Sequence, residues 1–271
     1  MSQRIYVLSE TRGPVQSDKA ANSILWIIIA ILVSLIIIEL GFQFVFAPNL
    51  LVRKVVIDGI QAVSREEILR AAGLSGTEYF FSLNTGSIEK KLGDCPAVRA
   101  SKCEKVFPDT LRITVVERVP LAIALVNDGK RSIPVVFDED GVIFLTGKSV
   151  KQTNIPVFSG LVFNSHAPGS RLPAKLKRFL ADLKTIRDSA RDIFNFVSEI
   201  KVEPSAHDDF EVVFYMVPYR TRIRTAATVD SGMLTYAIMV LDVLKKERID
   251  RNVKEIDFRS KEIVYKEEGG A

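Results

Sequence analysis

A long apolar run near the N-terminus constrains this chain more than any other feature of its sequence. Residues 24–38 read ILWIIIAILVSLIII, and LGFQFVFA extends the run to residue 47 with Glu39 and Gln43 as its strong interruptions. A helix over residues 24–47 would be about 36 Å long, which is enough to cross a hydrocarbon core of about 30 Å. We therefore predict one transmembrane helix, preceded by a short tail at residues 1–23.

A cleaved signal peptide is the main alternative to a retained anchor. The apolar part of a signal peptide is about 7 to 15 residues long and is followed by small residues at the cleavage site. Here the bulky side chains of Phe42, Phe44, Val45 and Phe46 follow instead, so we favour an anchor. The few basic residues on either side of the run do not decide its orientation.

The composition of the 271-residue chain excludes several classes of function. It is 47% hydrophobic and 26% charged, so it can bury a core, and its net charge of +4 comes from mixed signs rather than a basic block that could bind nucleic acid. The two histidines, His166 and His207, lack metal-ligand spacing, and no phosphate-binding or nucleophile motif occurs. Asp138 and Asp140 flank a predicted hairpin turn, where solvated carboxylates are common, so we do not assign them to general acid–base catalysis. We predict no catalytic, cofactor-binding or metal-binding residues, and therefore no enzyme.

The two cysteines allow two interpretations. Cys95 and Cys103 are eight positions apart and could form a disulfide if this part of the chain lies outside the cytoplasm. Unpaired structural thiols are the interpretation that we favour.

Residues 51–120 predict a compact β-α-α-β-β unit. A β-rich run ends at Asp58-Gly59 and is followed by a helix with Ser64 as its N-cap, then by a second helix that Gly93 and Pro96 close. Strands at residues 98–106 and 111–119 are linked by the turn FPDT. The periodicity places the following residues in the core: Val55, Ile57, Ile68, Ile88, Leu111 and Ile113.

This arrangement resembles the POTRA domain of the FtsQ/DivIB family of bacterial cell-division proteins. The resemblance rests on several motifs in the family's order: VIDGIQAVSREEIL at the start, Phe107-Pro108-Asp109 at the turn, and Glu117-Arg118-Val119-Pro120 at the exit, all preceded by a single anchor. It implies a POTRA domain at residues 51–120, an FtsQ-type β domain at 121–266 and a C-terminal tail at 267–271.

The pattern after residue 120 agrees with a mixed β-sheet domain that has flanking helices. Two β runs surround Asp140-Gly141, a hairpin signal. Apolar residues recur at helical spacing between Pro173 and Phe196 and again at residues 233–244. Strand patterns occupy FVSEIKVE, FEVVFYMV and the segment from residue 253 onward. The fold class predicted for the whole chain is α+β.

The function that the resemblance implies is a noncatalytic division scaffold without a cofactor or small-molecule substrate. It would be a single-pass type II protein of the inner membrane at the septum, with its C-terminal bulk outside the cytoplasm. Its partners would be of the FtsB and FtsL type, with FtsK, FtsW and FtsI as further candidates. A partner strand would add to the last strand of the sheet. The expected partner-binding residues are Asp257, Phe258, Arg259, Ser260, Ile263, Val264 and Tyr265.

Two alternatives to this function are weaker. A POTRA-containing assembly factor for outer-membrane or secreted proteins would need a β-barrel's many alternating segments. An anchored cell-wall hydrolase would need a nucleophile or a metal site. For Arg259 itself, a solvated position or an internal salt bridge is the alternative to a partner contact.

Glu117 raises a separate question, because it shares the parity of the apolar residues Leu111, Ile113 and Val115. A bulge in the strand pairing near Val115 and Val116 would move its carboxylate to the wet face. Alternatively, Glu117 and Arg118 fix the angle between the two domains or contact a partner. The sequence leaves both interpretations open.

Overall fold

A computed structural model describes residues 19–42, 50–127, 131–151, 154–161, 163, 165–205, 209–260 and 264–267. Its first element, α1 (Lys19–Gly41), contains a 20-residue stretch at Asn22–Gly41 with a mean hydropathy of 2.9 and no buried residues. The helix is thus long and apolar enough to cross a membrane. It begins earlier than predicted, and residues 43–47 of the predicted span lie outside the described part of the chain.

The predicted β-α-α-β-β unit is present and forms a three-stranded sheet, here called the small sheet. Its elements are β1 (Lys54–Asp58), α2 (Arg65–Ala72), α3 (Thr85–Gly93), β2 (Val98–Val106) and β3 (Thr110–Glu117). The strand order is β1-β3-β2, with β1 parallel and β2 antiparallel to β3. Both helices pack their apolar sides against this sheet.

Local signals explain the boundaries of the two helices. The Ser64 hydroxyl accepts a hydrogen bond from the Glu67 N–H at 3.2 Å, as an N-cap does, and Gly73 ends α2 in the left-handed conformation. Asn84 caps α3 in the same way through the Ser87 N–H. The predicted core is confirmed: Ile68, Ile88, Leu111 and Ile113 are buried, and the others pack against them.

Both cysteines of the small sheet are free thiols, which agrees with the unpaired interpretation. Cys103 is buried on β2, and this burial, together with the nearby charge of Glu89, raises the pKa of its thiol to about 11. At neutral pH the Cys103 thiol is therefore protonated and poorly nucleophilic.

The rest of the chain forms a nine-stranded sheet, here called the large sheet. Its strands in chain order are β4 (Ala122–Asn127), β5 (Ser132–Phe137), β6 (Ile143–Thr146), β7 (Val157–Ser159), β8 (Val197–Pro204), β9 (Phe210–Met216), β10 (Arg222–Thr225), β11 (Val253–Asp257) and β12 (Val264–Glu267). The spatial order is β12-β11-β10-β9-β8-β7-β4-β5-β6. The hairpin predicted around Asp140-Gly141 joins β5 to β6.

Helices cover the apolar face of the large sheet. Side chains of α4 (Lys177–Ser189), α5 (Arg191–Phe196) and α6 (Ser231–Lys246) share one hydrophobic core with the strands. The Phe179 ring lies at the centre of this core, between the rings of Phe158, Phe210 and Phe214. The chain therefore has the α+β class that was predicted, with a separate core for each sheet.

The apolar spacing between Pro173 and Phe196 predicts one helix, and the prediction that this helix is continuous is wrong. Residues 173–196 form a 3-10 turn, α4 and α5 rather than a single helix. The break lies at Ala190, whose backbone is at φ −139° and ψ 56°, outside the helical region. Phe194 of α5 and Ile186 of α4 both belong to the core of the large sheet.

Gly59 follows β1 in a conformation that only glycine tolerates there. Its φ is +88°, and a Cβ at this position would lie 2.1 Å from the carbonyl oxygen of Val115. We expect Gly59→Ala to destabilise the small sheet by roughly 2 to 5 kcal/mol, because backbone strain and overlap with β3 add. Gly76→Ala is the matched control: φ is +86° with open space around the position, so it should cost about 1 kcal/mol.

The measurement is unfolding of the detergent-solubilised chain in urea. Pulse proteolysis reports the folded fraction at each urea concentration, read from fragments of the small sheet. Equal destabilisation by the two substitutions would show that the approach of Gly59 to Val115 is unimportant.

Candidate functional site

The free edge of the large sheet is formed by β12. It pairs with β11 on one side, in the register Ile256 to Tyr265 and Asp257 to Val264, and no described strand lies on its other side. The side chains of Val264 and Tyr265 are 59% and 60% exposed. Ile263, the remaining residue predicted on this strand, lies outside the described residues. The backbone N–H and C=O groups on the outer side of β12 are therefore available to another strand.

The opposite edge of the large sheet is covered by the chain itself. The N–H of Ile143 on β6 donates to the Ser170 carbonyl at 2.9 Å, and the Ile143 carbonyl accepts from Gly169 at 2.7 Å. The small sheet also has partly occupied edges, since Val55 O on β1 accepts from Arg65 at 2.6 Å and Cys103 N on β2 donates to Glu89 at 2.6 Å. Of the four sheet edges in the described structure, β1 and β2 are each occupied at one position, β6 is covered by the chain around Gly169 and Ser170, and β12 has no described backbone partner on its outer side.

Arg259, which lies between β11 and β12, is held by intramolecular ion pairs. Its Nε donates to both carboxylate oxygens of Asp257 at 2.9 Å, and its Nη1 pairs with Glu211 on β9. Hydrogen bonds to Asp257 and Glu211 raise the pKa of Arg259. Burial acts to raise the pKa of Asp257, but the bonds from Arg259 hold it below its usual value. Both groups are charged at neutral pH, and their pairing orders the chain as it leaves β11.

The neighbours of Arg259 are also fixed within the chain. The N–H of Phe258 donates to the Arg224 carbonyl at 2.8 Å, which prolongs the pairing of β11 with β10. The Phe258 ring packs edge to face against Tyr236 of α6 at 6.0 Å between ring centroids. Ser260 is exposed at the end of this segment. The predicted residues from Asp257 to Ser260 therefore lie directly beside the open edge.

A row of alternating charges runs across the other face of the large sheet and ends at Arg259. We call it the charged ladder. Its members are Lys201, Glu203, Glu211, Arg222, Arg224, Glu255, Asp257 and Arg259. Arg224 contacts three carboxylates from three strands. Burial opposes ionisation of Glu255, yet hydrogen bonds and charge from Arg224 hold its pKa below the usual value. The ladder ties β8 through β11 together behind the open edge.

An apolar cleft of about 350 Å³ borders β12. The end of α6 contributes Val240 and Leu244, the sheet contributes Val253 and Ile256, and Tyr265 of β12 closes one side. Ile249 and Asn252 complete its lining. Next to these residues, α6 exposes more than half of the surface of Tyr236, Met239 and Val243. An apolar surface therefore lies against an open strand edge, as in sites that recognise peptides by strand addition.

Our sequence analysis missed this apolar surface, although a signal for it was present. The predicted stripe of α6, from Leu234 to Leu244, contains its buried residues Leu234, Ala237 and Leu241. The intervening residues Tyr236, Met239, Val240 and Val243 are also apolar, so the helix is apolar around most of its circumference. Such a helix is either buried on all sides or covered by something else. The small polar share of this segment was the overlooked evidence.

Glu117 has a structural partner within the small sheet. Its carboxylate accepts hydrogen bonds from the consecutive backbone N–H groups of Gln61, Ala62 and Val63, at 2.7, 2.9 and 3.0 Å. The bulge lies opposite, at Arg99 on β2, where the register shifts between Val98 and Ala100. The side chains of β3 therefore alternate between the two faces of the sheet without interruption up to Glu117. Its carboxylate stays on the inner side of the sheet instead of moving to the solvent-exposed face. There it holds the loop that leads into α2.

Arg118, the next residue, connects the two sheets. Its Nε donates to the Pro96 carbonyl at 2.9 Å, and its Nη1 donates to Asp138 at 2.5 Å. The adjacent Glu139 is also bound from both sides, by Arg99 of β2 and by Arg187 of α4, the latter at 3.0 Å. Asp138 is 1% exposed and Glu139 9%. We call these five residues the carboxylate joint.

Within the described residues, no group of three or more His, Cys, Asp and Glu side chains could hold a metal ion. His166 lies in the loop between β7 and α4, and His207 is outside the described residues. The chemistry that the geometry does offer is main-chain hydrogen bonding along β12 with apolar contacts beside it.

Comparison with known proteins shows that this chain is similar to bacterial cell-division proteins. Residues 50–118 match the family model of the FtsQ-type POTRA domain. Over 135 residues the chain is 34% identical to the cell division protein FtsQ of Mycobacterium tuberculosis, which covers 50% of this chain and 40% of that protein. The FtsQ of Koribacter versatilis is 26% identical over 215 residues, covering 74% of this chain and 58% of the relative. The chain spans about two fifths of the length of these mycobacterial relatives.

Among solved structures, the extracytoplasmic domain of the division protein DivIB from Geobacillus stearothermophilus matches with a TM-score of 0.31 and 16% identity. The match covers 48% of this chain and 96% of the DivIB chain.

The carboxylate joint predicts unequal effects for two arginines at the small sheet. Arg118→Ala leaves the buried Asp138 carboxylate without its cation, and its remaining partners among the described residues are the N–H groups of Asp140 and Val142. We therefore expect a loss of about 2 to 3 kcal/mol. Arg112→Ala on β3 is the control, because its side chain is half exposed and lies 3.8 Å from Asp58. It should cost less than about 1 kcal/mol.

Urea unfolding of the solubilised chain measures both losses, and limited proteolysis near Pro120 reports on the connection between the sheets. A joint that does not hold the sheets together would leave the Arg118 variant as stable and as protease-resistant as the Arg112 variant.

Proposed function

Since this chain belongs to the FtsQ/DivIB family of bacterial cell-division proteins, we propose that it is a noncatalytic scaffold that holds other division proteins at the septum. The observation that carries the proposal is the open edge of β12 beside an apolar cleft. A partner of the FtsB type, itself paired with an FtsL-type protein, adds a strand to this edge. FtsK, FtsW and FtsI are further partners to test.

Strand addition would use the features of β12 in a definite way. Main-chain hydrogen bonds to the outer side of β12 supply the pairing. Because side chains alternate along a strand, every second residue of the partner strand would face the apolar side of the sheet, where the cleft at Val240, Leu244 and Ile249 can receive it. The exposed Met239 and Val243 extend this surface for a larger partner element. Apolar partner residues at alternate positions are therefore expected.

Arg259 would contribute less to partner binding than a cation without intramolecular partners. Its guanidinium already contacts Asp257 and Glu211, so an acidic group of the partner would share it with these two carboxylates. The side chain is 42% exposed, and a charge pair at such a site contributes less than about 1 kcal/mol. Arg259 would then act mainly by keeping the segment before β12 in place. Asp257 and Phe258 would act in the same way.

The proposed topology follows from the family and from α1. The helix anchors the chain in the inner membrane as a single-pass type II protein, with the N-terminus in the cytoplasm and both sheets outside it. Residues 51–120 would be the POTRA domain, residues 121–266 the FtsQ-type β domain and residues 267–271 the C-terminal tail.

Two proline substitutions test the partner edge together. Successive N–H groups of an edge strand point to opposite sides, so either Val264→Pro or Tyr265→Pro removes a donor from the outer side, while both distort the strand. We expect at least one of them to weaken capture of the FtsB-type partner from the same organism by about tenfold or more, equivalent to about 1.4 kcal/mol. Val264→Ala and Tyr265→Ala keep both donors and serve as controls, with smaller losses.

A pull-down with the full-length solubilised chain makes the comparison, and circular dichroism of each variant checks that the chain remains folded. Partner capture that survives both prolines in a folded chain would place the partner elsewhere. Arg118 and the neighbouring Glu117 would then be the next residues to test.

A further inference from the structure

A second exposed apolar surface lies on the small sheet, far in sequence from β12. Tyr79 and Phe81 are each 47% exposed and Phe107 is 65% exposed. The rings of Phe81 and Phe107 both pack edge to face on the buried ring of Phe80, at 5.2 and 6.3 Å between centroids. Leu51, also exposed, forms a bridge with Tyr79. We call Leu51, Tyr79, Phe81 and Phe107 the aromatic patch.

The aromatic patch surrounds the point at which the chain arrives from α1. Leu50 O accepts from Phe80 N at 2.7 Å, and Val52 N donates to Glu78 O at 2.9 Å. Arg53 N donates to Asp109 O at 3.0 Å, in the turn that contains Phe107. The first residues after the membrane helix are thus hydrogen-bonded to the two segments that carry the aromatic side chains.

The length of the connection keeps this end of the small sheet near the bilayer. Seven residues separate Phe42 from Leu50, and eight Cα steps of about 3.5 Å span at most about 28 Å even when fully extended. Phe44, Val45 and Phe46 continue the apolar run within this connection. Any part of it that stays in the membrane shortens the remaining reach. The aromatic patch therefore cannot lie far from the headgroups.

Basic side chains accompany the aromatic patch. Arg53 and Lys54 are exposed at the start of β1. Lys105 donates to the Phe81 carbonyl at 3.1 Å, and its Nζ lies 5.8 Å from the centroid of the Phe80 ring. The nearby carboxylate of Glu78 is occupied by the N–H groups of Ser75 and Gly76. Apolar rings beside basic side chains are typical of surfaces that lie at an anionic membrane interface.

We propose that the aromatic patch rests on the outer surface of the bilayer, with Phe107, Phe81 and Tyr79 in the headgroup region and Arg53, Lys54 and Lys105 against anionic lipid phosphates. The short tether brings the patch to the membrane, and burial of its apolar area holds it there. This contact would fix the small sheet relative to the membrane, independently of any partner at β12.

Quenching by brominated lipids tests the contact directly in the full chain. Trp26, the one tryptophan, is replaced by Trp26→Phe, and a new tryptophan is introduced by Phe107→Trp. The chain is reconstituted into phosphatidylcholine vesicles that contain about a third phosphatidylglycerol. We expect the emission of the tryptophan at position 107 to fall about twofold with lipids brominated near the headgroups, and to recover in part at high salt.

Leu125→Trp in the same background is the matched control, because Leu125 is a similarly exposed apolar residue on β4 of the large sheet. Its emission should change little. If Phe107→Trp disturbs folding, as judged by circular dichroism, Phe81→Trp replaces it with the same expectation. Arg53→Ser together with Lys105→Ser should reduce quenching at the patch.

Quenching at position 107 that does not exceed quenching at position 125, in a folded protein, would overturn the proposal. Shielding of position 107 that appears only when a partner protein is added would also overturn it, because the patch would then be a protein-binding surface.

Discussion

Two buried carboxylates determine how the halves of this molecule are joined. Asp138 and Glu139 follow β5 and are almost inaccessible to water, so they are stable as anions only with well-placed cations. The small sheet supplies two of these cations, Arg118 and Arg99, and α4 supplies the third, Arg187. Separation of the sheets would take Arg118 away from Asp138 and would leave Glu139 with Arg187 but without Arg99. The relative position of the two sheets thus depends on charge burial, in addition to apolar packing within each core.

This joint has a geometric consequence for the proposed partner site. Asp138 lies beside β5, near one end of the large sheet, whereas β12 forms the other end. Seven strand spacings of about 4.8 Å separate β5 from β12, or about 34 Å across the sheet. The charged ladder stiffens the part of this path from β8 to β11. The joint and the open edge therefore lie near opposite ends of the large sheet. A partner at β12 would be held at a set distance from the small sheet.

Much of the small sheet could be predicted from sequence because its signals are local. Ser64, Gly59 and Gly73 mark turns and helix ends through their own side chains or backbone, and the apolar periodicity of β3 identifies its buried face. The features that escaped prediction depend on contacts between distant residues. The direction of Glu117 is set by N–H groups more than fifty positions earlier. The break at Ala190 lies four residues before Phe194, which packs in the core with side chains from distant strands. The contact of Arg259 with Glu211 requires β9 and β11 to flank β10 in the sheet.

The central claim is that partner binding occurs by hydrogen bonding along β12. Hydrogen–deuterium exchange of the full chain, reconstituted in vesicles with and without its FtsB-type partner, tests this claim at the level of the backbone. The outer N–H groups of residues 264–267 should exchange rapidly in the free chain and become strongly protected in the complex, while β6, whose edge is already covered, should not change. Protection that appears elsewhere, with residues 264–267 exchanging as fast as before, would contradict the account.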